Sequence, residues 1–306
     1  MTKNLSPLIL TLMLSILTIG CYEKNTSINW TYPNGKYKAL IMSYDDGLVD
    51  DIALAQLFDR YGIIGTFHLN SGFLDTKAIW NEGKTNEVLQ TYLSRDTLKH
   101  IFKDHEIAVH GTYHKALVGL SDEEILEEIN VDIENLTALS NNKISSMAYA
   151  FGSTNEKVAN VIRTTQLTNA RTVNASHNFE IPQNYYLWNP TCHDNEALHY
   201  MEEYVSLNSS TLSLFYVWGH SWEFRDTLRK DNISKFCDEI GNRADIWYTG
   251  AGAFAEYHAS LKALEITDKE ITNPEGNGIV FYREKGQLKS LDPGKKLIRL
   301  SKASDI

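Results

Sequence analysis

The chain has 306 residues, with 42% hydrophobic and 22% charged side chains and a formal net charge of -10. That composition excludes a disordered chain, and an acidic balance without a basic stripe excludes nucleic acid as a partner. The length suits one α/β barrel domain or two small domains, and either can bury a sizeable core.

Lys3 gives a weakly positive start, Leu8 to Ile19 form a short apolar run, and Gly20 and Cys21 follow. This predicts a secretory signal over 1–21, too short for a comfortable membrane span. A Cys directly after a small residue resembles the lipobox of bacterial lipoproteins, with Thr18 where that pattern usually has Leu. The resemblance implies an exported protein of the bacterial cell envelope, tethered to a membrane by lipid on Cys21. A plain cleaved signal is the alternative. Residues 22–36 are polar, with a turn at Pro33-Asn34-Gly35, and are expected to form a tether.

Strands and helices then alternate over 37–268. Lys38 to Tyr44 is an apolar strand that stops at Asp45-Asp46-Gly47. Leu48 to Tyr61 is helical by pattern, with Gly62 behind it, and Ile63 to Leu69 is a second strand. Residues 70–95 are less regular and predict an insertion, or a loop with a short helix. Leu98 to Lys103 reads as helix and Glu106 to Val109 as strand. Ser121 and Glu124 form a capping box for a helix with Ile125, Ile129, Ile133 and Leu136 on one face. Ser146 to Ala150 is strand, Ser153 with Glu156 suggests a second capping box, and Asn155 to Thr165 is helix. Thr168 to Val173 and the strongly apolar Thr211 to Trp218 are strands. Asn232 to Asn242 is helix, Asp245 to Tyr248 strand and Gly252 to Leu264 helix. Turn residues between short apolar runs over 272–301 predict a small β appendage, placed at 269–306. Alternating strand and helix units imply a parallel sheet, open or closed into a barrel. Beyond Cys21, the cysteines are Cys192 and Cys237, either a disulfide that export permits or two buried thiols.

The polar residues at strand ends carry the chemistry. Asp45 and Asp46 end the first strand, His110 ends another with His114 four residues on, and His220 ends the Thr211 to Trp218 run. In parallel α/β sheets and barrels, sites assemble at the C-terminal ends of strands. Two His and one carboxylate suffice for a catalytic divalent metal with an open position. A second Asp beside a cation stays ionised and can take a proton from water, and a further His can protonate a leaving group. Together these parts make metal-assisted acyl hydrolysis. No G-x-S-x-G elbow appears, which disfavours a nucleophilic serine enzyme.

Ser43-Tyr44-Asp45-Asp46-Gly47 resembles the T-F-D-D-G motif of the polysaccharide deacetylases, the carbohydrate esterase family related to chitooligosaccharide deacetylases. His110-Gly111-Thr112-Tyr113-His114 is similar to that family's H-[ST]-x-x-H, Tyr149-Ala150-Phe151-Gly152 to its third motif and Trp218-Gly219-His220 to its last. The resemblance implies a distorted (β/α) barrel with the small β appendage behind it. It implies Asp45 as catalytic base, Asp46, His110 and His114 as metal ligands, and His220 as catalytic acid. The metal would be Zn2+, with Co2+ or Ni2+ able to stand in, and the substrate an acetylated glycan. Tyr149, Phe151 and Trp218 are candidate substrate contacts, because aromatic faces suit sugar rings and acetyl methyls.

Two departures stand out. The family's third motif carries an Arg that orients the base, and Met147 to Gly152 has none. Arg171, at the end of the next strand, is the candidate replacement, holding Asp45 with a two-nitrogen fork; a structural Arg is the alternative. The family's D-x-x-x-W segment is also missing, and His193 and Asp194 either border the site or lie in a plain loop. Two other readings stay open: a metal-dependent hydrolase of a non-sugar amide or imide, and a non-catalytic carbohydrate-binding surface lipoprotein. The sequence does not indicate an oligomeric state.

Overall fold

Lys38–Asp45 is an eight-residue strand, β1, and every residue in it is buried. A strand covered on both faces needs apolar side chains at odd and even positions alike, which Ala39-Leu40-Ile41-Met42 supplies. It forms the centre of the computed structural model, which describes residues 28–140, 142–207 and 210–298. The expected signal 1–21 with Cys21, residues 22–27 of the expected tether, and 299–306 lie outside those residues.

The other strands of this eight-stranded sheet are β2 (Gly65–Leu69), β3 (Glu106–Val109), β4 (Ser146–Ala148), β5 (Asn169–Arg171), β6 (Cys192–His193), β7 (Ser213–Gly219) and β8 (Ile246–Tyr248). The lateral order is β5-β4-β3-β2-β1-β7-β6, and all pairings are parallel. β8 pairs with Lys38–Leu40, while β2 pairs with Met42–Asp45 farther along the same strand. The sheet curls into a half-barrel flanked by helices, the distorted (β/α) barrel that the family resemblance implies. Between β5 and β6 the gap is bridged by loop backbone: Trp188 N donates to Ala170 O at 3.1 Å, and Thr172 N to Trp188 O at 2.9 Å.

The helices are α1 (Asp51–Arg60), α2 (Arg95–Ile101), α3 (Asp122–Ser140), α4 (Glu156–Ile162), α5 (Ala197–Ser206), α6 (Thr227–Ile240) and α7 (Ala251–Lys262). In α3 the predicted stripe of Ile125, Ile129, Ile133 and Leu136 is buried in the main core. Its capping box forms, with Ser121 N donating to Glu124 Oε2 at 2.8 Å and Glu124 N to Ser121 Oγ at 3.3 Å. The second predicted box does not form. Asn155 caps α4 instead, accepting from Val158 N at 3.0 Å, and Ser153 Oγ accepts from Val118 N across a loop.

Two expected irregular stretches contain strands. In the insertion, Lys77–Trp80 and Val88–Thr91 form an antiparallel hairpin in which Ile79 pairs with Leu89. Within the expected tether, Asn29–Thr31 pairs antiparallel with the Val280–Glu284 strand, and Trp30 packs edge-on against Tyr282 at 5.7 Å. Tyr32 behind it is fully buried among Trp247, Phe254 and Tyr257. Aromatic burial, which polar composition hides, fixes this segment. Cys192 and Cys237 are both free and buried.

Trp188 is 1% exposed and packs edge-on against Tyr216 at 4.7 Å and Tyr185 at 4.8 Å. If it closes the barrel wall, Trp188→Ala lowers the unfolding free energy in urea by about 3–5 kcal/mol. A loss under about 1 kcal/mol would contradict that role.

Candidate active site

The site lies at the C-terminal ends of the parallel strands. β1 ends through two residues with left-handed backbone, Asp46 at φ 87° and Gly47 at φ 69°. Asp is among the few side-chain-bearing residues that visit this region readily. The turn leaves Asp45 and Asp46 2% and 5% exposed, side by side.

β3 delivers His110, and the loop after it turns sharply at Gly111 (φ 87°) and again at His114 (φ 55°). Buried carboxylates of α3 hold this loop. Glu128 accepts Tyr113 N at 2.6 Å and Lys115 N at 3.3 Å; Asp132 accepts His110 N at 3.1 Å and Ser71 N at 2.8 Å. A Cβ on Gly111 would meet Glu128 Oε1 at 2.9 Å, so glycine lets the carboxylate come this close. Asn70 donates to the carbonyls of both His110 and Gly111.

Ligand atoms of Asp46, His110 and His114 lie within 4.8 Å of one another. The two Nε2 atoms are 3.1 Å apart, and Asp46 Oδ1 is 3.7 Å from His110 Nε2 and 3.6 Å from His114 Nε2. His110 Nδ1 sits 2.9 Å from Ala148 O. A carbonyl only accepts, so Nδ1 carries the proton and Nε2 presents its lone pair. Burial pushes the His110 pKa down to about 4 and also lowers that of His114, which keeps both rings neutral at pH 7. Two neutral imidazoles and a carboxylate converging on one point fit a divalent cation such as zinc.

Arg171, at the end of β5, reaches Asp45. Its Nη2 contacts both Asp45 oxygens, at 2.6 and 2.5 Å. The expected two-nitrogen fork is corrected here, because the other nitrogens are engaged elsewhere. Nε donates to Ser43 Oγ at 3.1 Å and Nη1 to Thr172 O at 3.0 Å. Ser43 in turn lies 2.9 Å from His68 Nε2, and His68 Nδ1 lies 3.2 Å from Val109 O. Burial, the largest effect, would raise the Asp45 pKa, but the Arg171 guanidinium together with His110, His68 and His220 outweighs it and holds the carboxyl well below its usual range.

His220 follows β7 with its ring partly exposed to the same cleft. Its Nδ1 lies 3.5 Å from Glu223 Oε2, an ion-pair contact rather than a hydrogen bond. Burial works against its protonation, yet Glu223 and the two Asp carboxylates raise its pKa. Glu223 also meets His193 Nε2 at 3.3 Å, and Arg229 donates to both its oxygens at 3.0 Å. His193, Glu223 and His220 are close enough to suggest a second metal cluster. Arg229 already supplies the cation there, so this group reads as an ion-pair network behind His220. His193 and Asp194 thus sit at the β6 end within that network rather than in a plain loop.

The cleft holds about 900 Å³ and its wall includes Trp80, Tyr92, Tyr113, Phe151, Trp218 and Trp222. Tyr149 lies in the cleft wall but is only 1% exposed, and its hydroxyl donates to Tyr186 O at 2.8 Å. Phe151 is 70% exposed at the rim and meets the His114 ring edge-on at 4.3 Å. Trp218 lies under the Arg171 guanidinium at 4.7 Å. Glu223, Glu128 and Asp132 are site residues that sequence reasoning missed; Trp222 is recognisable in sequence only as an aromatic residue flanking His220. Their roles arise from tertiary contacts and leave no spacing signal, although Glu128 and Asp132 stand one helical turn apart beside the α3 stripe.

Residues 31–170 match the family profile described as polysaccharide deacetylase. No curated protein sequence matches the chain. Among solved structures, a polysaccharide deacetylase-type protein from Mycobacterium smegmatis is similar at 13% identity and a TM-score of 0.52, covering 78% of this chain and 95% of that one. A polysaccharide deacetylase from Bacillus cereus is 16% identical at a TM-score of 0.40, over 48% of this chain and 44% of that one. A CE4 family pseudoenzyme from Bacillus anthracis is 14% identical at a TM-score of 0.43, over 71% of this chain and 64% of that one. The chain thus spans less than half the length of the Bacillus cereus protein.

Arg171→Met leaves Asp45 buried without its counter-charge. In chelator at pH 7.5 it is expected to cost about 3–5 kcal/mol of stability. The lowered Asp45 pKa gives a contribution present above the unfolded value of about 3.9 and lost as pH falls through the folded value. Without the guanidinium, burial raises the Asp45 pKa in the variant, so its carboxyl takes up a proton as pH falls, and the deficit in urea shrinks from pH 7.5 toward pH 4 while the wild-type pairing stays intact. An equal deficit at both ends would contradict the pairing.

Proposed function

We propose that the protein is a metal-dependent hydrolase removing N- or O-linked acetyl groups from a polysaccharide or peptidoglycan, a reading supported by the match of residues 31–170 to the polysaccharide deacetylase profile. The observation that carries this reading is the convergence of Asp46, His110 and His114 beside a second, separately neutralised carboxylate, Asp45. Asp46, His110 and His114 would hold a divalent cation, Zn2+ foremost with Co2+ or Ni2+ as substitutes, which would supply Lewis acidity toward the acetyl carbonyl and lower the pKa of water to ~7.

The chain's own residues do the rest. Asp45 accepts the proton of the attacking water, and Arg171 keeps it ionised and aimed. His220 gives a proton to the departing nitrogen or oxygen as its bond to the acetyl carbon breaks. Glu223, backed by Arg229 and His193, faces the rear of the His220 ring and favours the protonated form that this step needs. The products are acetate and a free amine or alcohol. Trp218 and Phe151 offer apolar surface to the sugar and the acetyl methyl, with Tyr149, 1% exposed, in the cleft wall behind them. The non-catalytic reading rested on the absent Arg of the third motif, and Arg171 on Asp45 removes that ground.

With Zn2+, Co2+ or Ni2+ added, the purified protein is expected to release acetate from a chromogenic acetyl ester or a chitooligosaccharide. His110→Ala should lose both metal and activity. His220→Ala should keep its metal while kcat drops about 10²–10⁴-fold. Full activity in His110→Ala would sink the mechanism. Turnover confined to small amides or imides in a substrate panel would replace the glycan with that class.

We further propose export and lipid attachment at Cys21, supported by the apolar run Leu8 to Ile19 ahead of Gly20-Cys21. Cys21→Ala should shift the protein from the membrane to the soluble envelope fraction. Unchanged membrane association would contradict the anchor.

A further inference from the structure

Asp46 uses its two oxygens differently. Oδ1 faces His110 and His114, and Oδ2 accepts a hydrogen bond from Trp222 Nε1 at 2.9 Å. An indole N–H can only donate, and a bond to an ionised carboxylate is charge-assisted. The contact ties down the oxygen that is turned away from the imidazoles, so the carboxylate cannot swing about its Cβ–Cγ bond.

Trp222 is itself clamped. It lies in the short turn Ser221–Arg225, where its ring meets Trp80 of the Lys77–Trp80 hairpin strand edge-on at 5.6 Å. Two residues on, Arg225 Nη1 donates to Gln90 Oε1 of the other hairpin strand at 2.9 Å, and Gln90 is buried. The hairpin also grips the chain just after Asp46. Leu93 N donates to Gly47 O at 2.9 Å, Val49 N to Thr91 O at 3.0 Å, and Leu48 bridges Tyr92. One insertion therefore holds Asp46 from its backbone and, through Trp80 and Trp222, from its side chain.

We propose that Trp222 is a positioning residue for the metal ligand Asp46, and that the 77–91 hairpin, acting through Trp80, sets the metal affinity of the cleft that it walls. The proposal rests on the metal reading of the site. Partners that fix a ligating side chain typically change metal affinity 10–100-fold when removed. Here the partner is an indole in a surface turn, and its support comes from an element outside the barrel.

The test is metal affinity, measured by chelator competition with Zn2+ and no substrate present. Trp222→Phe keeps a ring and loses the N–H; it is expected to bind Zn2+ at least about tenfold more weakly. Trp80→Ala should weaken binding by a smaller but clear factor, about threefold or more. Trp80→Phe, with a ring restored against the indole, should recover most of that loss. Circular dichroism melts identify a variant that has lost its fold, and Trp80→Ala still carries the test if Trp222→Phe is one. Affinity within about twofold of wild type in Trp222→Phe overturns the positioning role. An unchanged Trp80→Ala overturns the role of the hairpin. A wild-type chain that binds Zn2+ without releasing acetate overturns the deacetylase reading and leaves this one standing. A wild-type chain that takes up no metal overturns both.

Discussion

Two carboxylates on consecutive residues, both nearly withdrawn from water, are the constraint that organises this molecule. Asp45 and Asp46 end the central strand at 2% and 5% exposure. A buried charge is tolerated only when it is paired and hydrogen-bonded. The two carboxylates find separate solutions. Asp45 takes a fully buried guanidinium from four strands away, Arg171 Nη2 on both its oxygens. Asp46 takes one neutral N–H and faces two imidazoles that burial keeps neutral. Neutral donors alone leave its charge uncompensated, which is the physical basis of the proposed cation site.

Much of the surrounding architecture serves that pair. The His110–His114 loop adopts left-handed backbone at Gly111 and His114, a conformation that needs external support. Support comes from Glu128 and Asp132, which accept four backbone N–H groups between them, three from the loop and one from Ser71. Buried carboxylates that accept backbone N–H groups order the loop with charge-assisted hydrogen bonds, and Lys115 Nζ lies 3.5 Å from Glu128 Oε2. On the opposite side, Glu223 and Arg229 form a closed ion pair that presents a negative edge to His220. The cleft therefore separates its groups by electrostatics: a carboxylate paired with a guanidinium, two imidazoles kept neutral beside a second carboxylate, and a third imidazole whose protonation Glu223 favours, an arrangement that suits the proposed base, metal ligands and acid.

The strand ends were legible in the sequence. Lys38–Asp45, Glu106–Val109 and Ser213–Gly219 are apolar runs that break at chemically distinctive residues, and parallel strands carry such breaks to one edge. Arg171 was legible as a strand-end cation, although its single-nitrogen grip depends on Ser43 and Thr172, which only the fold brings near. The hairpin was illegible because Ile79 and Leu89 pair with each other and remain 47% and 58% exposed, so no buried face imposes a period. Helix α5 fully buries Ala197, Met201 and Tyr204 with Leu198, Tyr200 and Val205 partly buried beside them, an apolar face that the predicted elements omit. Glu223 and Trp222 carry no motif, since their contacts span a turn, a neighbouring strand end and the insertion.

The most direct measurement is X-ray absorption at the zinc edge of the protein reconstituted with one equivalent of Zn2+. The account predicts a first shell of nitrogen and oxygen at about 2.0–2.2 Å with outer-shell scattering from two imidazoles. A shell containing sulfur, or one showing fewer than two imidazoles, would contradict the placement of the ion between Asp46, His110 and His114.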